Sequence, residues 1–141
     1  LLRLADGAPL GALEIAEEGG VEARSDLFRD MTALLAGETD PVAVASGWRG
    51  KEMTELARWL TSLTMDLIRL KTDQNSPSLT HEDLRRAMQP VARRLDLIRI
   101  FALLDVCLEL RWLCARQTRF NPQLLLEDVA IRFAAAGEAR S

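Results

Sequence analysis

Residues 97–117 read LIRIFALLDVCLELRWLCARQ, and the reading of this stretch decides the fold. Its apolar positions are Leu97, Ile98, Ile100, Phe101, Leu103, Leu104, Val106, Cys107, Leu108, Leu110, Trp112, Leu113 and Cys114. The run is too long for a strand and lacks the strict alternation of one. Asp96 stands where an N-cap belongs, since its carboxylate can accept from the free amides of a first turn. At helical spacing the apolar residues wrap most of the circumference. A helix that is apolar nearly all round is either central to its own bundle or shared with a partner chain.

Working outward, the remaining chain also carries the helical period. From Gly50 to about Lys71, Met53, Leu56, Leu60, Leu63, Leu67 and Ile68 recur at steps of three and four and predict one buried stripe. Trp59 and Leu70 fall outside that stripe. The segment 72–79, with Asp73, Asn75, Ser76, Pro77 and Ser78, reads as a loop. Thr80 with Asp83 resembles a capping box and opens a helix running to Arg94, which Pro90 should kink or split. His81, beside Glu82 and Asp83, reads as a solvated first-turn residue. Asn121-Pro122 caps a last helix carrying Leu124, Leu125, Val129, Ile131 and Phe133, and the tail from Gly137 should fray.

Toward the N-terminus, Leu27, Met31, Leu34 and Leu35 mark a helix over about 21–36 closed by Gly37, and Asp40-Pro41 starts a short helix to about Ser46. Leu10, Leu13 and Ala16 or Glu17 suggest a short helix stopped by Gly19-Gly20. The expectation is an all-α chain with no strands and no solenoid repeat. Residues 20–141 form a compact bundle of about five to six helices, and residues 1–19 form the end of an upstream unit.

Composition narrows the function classes. The chain has 141 residues, 48% of them hydrophobic and 28% charged, enough for one core and too apolar for disorder. The net charge of −3 does not advertise nucleic-acid binding. Cys107 and Cys114 lie about 10 Å apart along a helix, too far for a disulfide, and fit a reduced, cytoplasmic protein as small apolar side chains. No cysteine or histidine cluster has zinc spacing, no glycine-rich loop with lysine cradles a phosphate, and no serine sits in a nucleophile elbow. Catalytic, cofactor and metal sites are therefore expected to be none, with no small-molecule substrate and no membrane span.

Two surfaces remain. Arg85, Arg86, Arg93 and Arg94 form the strongest basic grouping. They would be phosphate contacts in a nucleic-acid-binding helical domain, or ordinary partners of acidic side chains. The second surface is apolar and aromatic: Trp59, Leu70, Ile100, Leu103, Cys107, Leu110 and Trp112 are the candidate subunit interface, because interface cores favour such side chains.

Four strings carry a family resemblance. "LRLADGAPLGALEIAEE" (residues 2–18) resembles the end of the lid domain of clamp-loader subunits, with Leu10 in the slot where ATP-binding relatives carry a nucleotide-sensing arginine. "ARWLTSLTMDLIRLK" (57–71), "LLDVCLELRWL" (103–113) and "FNPQLLLEDVAIRF" (120–133) are similar to helices of the C-terminal collar domain of the delta-prime subunit of the bacterial DNA polymerase III clamp loader. The resemblance covers nearly the whole chain. It implies that 1–19 ends an AAA+-like lid and that 20–141 packs with delta and gamma/tau subunits in a pentameric ring. That ring loads the beta sliding clamp onto primed DNA, so contact with DNA and clamp would be indirect. The equivalent gamma/tau domain is the related alternative, which Leu10 disfavours.

Overall fold

The computed structural model describes residues 10–116 and 121–138, with side chains at 22–116 and 121–137. Among the described residues there are six α-helices and no strand: α1 (Leu10–Ala36), α2 (Pro41–Trp48), α3 (Met53–Thr72), α4 (Arg85–Arg94), α5 (Leu97–Ala115) and α6 (Pro122–Glu138). A 3₁₀ turn, Glu82–Leu84, leads into α4.

Short polar side chains set the helix boundaries. Asp40 accepts from Val42 N at 3.1 Å, Asp96 from Arg99 N at 2.9 Å and Asn121 from Leu124 N at 3.1 Å. Glu52 caps α3 through both carboxylate oxygens, taking Glu55 N at 2.8 Å and Thr54 N at 3.1 Å, and these amides hold its carboxyl below the ordinary range. Gly37 ends α1 at φ 73°, in the left-handed region, as expected.

α1 departs from expectation at its middle, running unbroken through Gly19-Gly20. Glycine weakens a helix by about 1 kcal/mol but does not forbid it, and it stops one only where the backbone turns left-handed. Pro90 likewise lies within one ten-residue α4. It is exposed, so the Arg86 carbonyl that loses its amide partner can be hydrated.

The helices form two packed groups with α5 common to both. α2 follows α1 after the turn at 37–40 and is tied back to it by Trp48, whose buried indole donates to Asp30 Oδ2 at 2.9 Å. α6 lies against α1, α2 and α5, and its Gly137 meets the Leu35 carbonyl so closely that a Cβ would have no room there. Residue 137, predicted to fray, is thus part of a close helix contact. α3 packs antiparallel to α5, with Thr64 Oγ1 at 3.6 Å from Cys107 Sγ.

α3 is the central helix. Leu56, Ala57, Leu60, Thr61, Leu63, Thr64, Asp66, Leu67 and Leu70 are all buried. Leu70, predicted to fall off the stripe, is fully buried because a second layer covers α3. The segment 73–81 turns back along α3 until His81 reaches Ser62, and α4 then runs parallel to α3 until the Arg93 carbonyl meets Lys71. Thr61 and Thr64 tolerate burial by donating to the carbonyls one turn back, Ala57 O at 2.7 Å and Leu60 O at 2.8 Å.

Candidate functional site

The polar centre of the fold is built on Asp66, a fully buried carboxylate on α3. It accepts from Thr80 N at 3.0 Å, from His81 N at 2.7 Å and from Arg69 at 2.7 Å. These bonds satisfy the backbone where the returning segment enters the interior at His81. His81 is therefore buried, at 4% exposure, rather than a solvated first-turn residue. Its Nδ1 lies 2.8 Å from Arg24 of α1 and its Nε2 lies 2.7 Å from Ser62 Oγ.

The tautomer follows from the partners. Arginine can only donate, so Nδ1 accepts and Nε2 carries the proton toward Ser62. Burial lowers the His81 pKa, the Asp66 carboxylate opposes that shift, and Arg24 adds to it. A histidine whose free nitrogen is occupied by a guanidinium is a poor general base. The Ser62–His81 contact therefore ties three segments together and does not arm a nucleophile. No signal in the sequence marked this network. His81 and Asp66 are fifteen residues apart, and only the fold-back of 73–81 joins them.

The basic grouping is divided by the same fold-back. Arg85 donates to Gln74 O at 3.1 Å, to Ser76 O and to Glu82, so it closes the loop. Arg93 reaches Gln74 Oε1 at 3.3 Å. Arg86 and Arg94 are exposed and make no ion pair among the described residues. The four arginines thus do not form one free face.

The candidate interface residues separate in a similar way. Leu70, Ile100, Leu103, Cys107 and Leu110 lie in the core of this chain. Burial pushes the Cys107 thiol up to about 12, which leaves it an inert thiol. Trp59 is half-buried and lines a shallow open groove with Ala23, Lys51, Glu52, Glu55 and Leu56. Trp112 is 57% exposed, with the Arg116 guanidinium stacked 4.6 Å above its ring.

Trp112 is not alone at the surface. Ile98 is 82% exposed, and Leu97, Phe101 and Leu108 are between 41% and 46% exposed. At 3.6 residues per turn these five side chains fall within roughly 100° of arc, directly opposite the core residues Ile100, Leu103, Val106, Cys107 and Leu110. Hence α5 carries two apolar faces, one inside the bundle and one outside it. Its all-round apolar pattern marked the helix, but pattern alone could not say which arc faces in.

Among the described residues no three histidines, cysteines or carboxylates converge to hold a metal ion, and no helix is long and apolar enough to cross a membrane. No curated protein and no solved structure matches the chain. A family model described as DNA polymerase III, delta subunit, C terminal, matches residues 18–135. That match takes in every helix from the body of α1 to most of α6, with the polar network and the open face of α5 inside it. The chain belongs to the family of C-terminal domains of the delta subunit of DNA polymerase III.

Proposed function

We propose that this chain is the collar domain of a delta-prime subunit. In this reading it is a non-catalytic cytoplasmic assembly unit that packs with delta and gamma/tau subunits into the pentamer that loads the beta clamp onto primed DNA. Residues 1–19 would end the preceding lid domain, a division in keeping with a family match that starts at residue 18. The observation that carries the reading is the outward apolar face of α5, centred on Phe101, Leu108 and Trp112. Monomeric proteins seldom leave a contiguous apolar stripe on a rigid helix unless something covers it. Covering it would stabilise a complex at roughly 25 cal/mol per Å² of apolar surface removed from water.

The finer assignment, delta-prime over delta, rests on the strings at 57–71, 103–113 and 120–133. Mixing the chain with purified delta and gamma subunits, followed by size-exclusion chromatography with light scattering, tests both levels. A delta-prime domain joins delta and gamma in one complex. A chain that displaces delta from gamma instead would be a delta domain, and a chain that binds neither at micromolar concentrations would end the assembly reading.

A further inference from the structure

The geometry points to a specific occupant for the outward face of α5: we propose that it receives an acidic amphipathic helix of a different protein, rather than a second copy of this chain. This deepens the assembly reading above and rests on it for the biological source of that helix. The surface chemistry can be tested alone.

Length comes first. From Leu97 to Trp112 the stripe spans about 22 Å at 1.5 Å per residue, which matches a partner helix of about four turns. Its anchors, Leu97, Phe101, Leu108 and Trp112, step by four, seven and four along one arc, the spacing that holds a helix in a groove. Ile98 widens the stripe at its start.

Charge then selects the partner. Arg94 ends α4 two residues before the N-cap Asp96 of α5, Arg111 borders the stripe, and Arg116 caps the helix over Trp112. None of the three makes an ion pair among the described residues. The nearby acids are largely committed elsewhere: Glu109 is held by Arg132 at 2.6 Å and Asp96 by Arg99 at 3.6 Å. Asp105, which makes no ion pair among the described residues, sits within the stripe close to its midpoint. The face is thus cationic at both ends with one anion in the middle, on a chain whose net charge is −3. A complementary helix carries acidic residues at both ends and a cation at its centre.

The same pattern argues against self-pairing. Two copies of α5 crossing antiparallel would place Asp105 against Asp105 and Arg94 near Arg116 of the other copy. All of these are like-charge contacts, which oppose association.

The test uses the 141-residue chain and two synthetic helices of about 16 residues with identical leucine anchors. One has glutamates at its ends and a central lysine; the other has these charges reversed. Fluorescence anisotropy at low salt should show the acidic-ended helix binding at least about tenfold more tightly, as a few screened ion pairs would give. That preference should shrink at about 0.5 M salt, where screening shortens to a few ångströms. In the triple variant R94E/R111E/R116E the preference should invert. F101D/L108D should bind neither helix while keeping the parent's thermal transition. Equal binding of both helices, binding of neither, or concentration-dependent dimerisation lost in F101D/L108D would each overturn the proposal.

Capture of purified delta and gamma subunits separates the two levels of inference. If the parent and the R94E/R111E/R116E chains capture them equally, the acidic-helix proposal fails and the assembly reading stands. If the parent captures neither subunit while the peptide preference holds, the assembly reading fails and the surface chemistry stands.

Discussion

Replacing Asp66 with alanine should cost this domain more stability than any single truncation of an exposed side chain. The carboxylate is fully buried and holds three donors: the amides of Thr80 and His81 at 3.0 and 2.7 Å, and the Arg69 guanidinium at 2.7 Å. Alanine leaves the His81 amide with no acceptor in a place water does not reach. An orphaned buried polar group costs about 1–3 kcal/mol, and losing a hydrogen bond to a charged group, as with the partly exposed Arg69, about 1.5–3 kcal/mol. Because these contributions overlap in one network, the expected total is about 3–5 kcal/mol rather than their sum. For a domain of this size that lowers the thermal midpoint by roughly 10 °C or more. Urea denaturation gives the free energy. Hydrogen exchange at the Thr80 and His81 amides gives the location, since both should lose protection before the helices do. A loss below about 1 kcal/mol, within the range of an ordinary surface change, would mean that Asp66 does not pin segment 73–81 to α3.

Three further outcomes follow from particular contacts. His81 has its pKa lowered from 6.5 by burial and Arg24, against Asp66 and Asp83, so the fold prefers the neutral ring. Its contribution is full above the unfolded value and is lost as pH falls below about 6.5, by at most about 1.4 kcal/mol per pH unit. Urea midpoints in that window should slope for the parent and flatten for His81→Gln; parallel slopes would remove His81 as the cause. Gly137→Ala drives a methyl into the Leu35 carbonyl, and separating the ends of α1 and α6 should cost about 1–3 kcal/mol in the same measurement; an unchanged midpoint would show that the two ends do not touch. On α5, Leu103→Ala should cost about 2–5 kcal/mol, whereas Ile98→Ser should stay within about 0.5 kcal/mol, and a larger loss at Ile98 would mean that the outer face is packed by this chain itself.

Helix content was legible because its determinants are local. The steps of three and four over 53–71, the caps at Asp40, Asp96 and Asn121, and Gly37 with its positive φ all act within a turn or two. Gly19-Gly20 misled because a residue's average cost is not a stop signal, and of the two outcomes read for Pro90, a kink or a split, the continuous α4 removes the split. The long-range polar contacts were not legible at all. Nothing near His81 states that segment 73–81 folds back along α3, and that path buries His81, gives Leu70 a cover and divides the four arginines of α4.

Of the interface residues read from the sequence, Ile100, Leu103, Cys107 and Leu110 occupy the inner arc of α5, while Trp112 lies on the outer one. The ambiguity was inherent in the helix. Rotating α5 by half a turn would exchange one set of leucines for another with little change in buried apolar area, so hydrophobicity alone cannot fix its orientation. The polar residues break the tie. Turning the outer arc inward would bury Asp105 without a partner, at a desolvation cost exceeding what one more leucine returns. On the inner arc the one charged side chain is Arg99, in the first turn and paired with Asp96 at 3.6 Å, and the Cys107 thiol is kept protonated by burial. One carboxylate thus orients the helix, keeps Phe101, Leu108 and Trp112 at the surface, and marks the midpoint of the face that a partner would have to match.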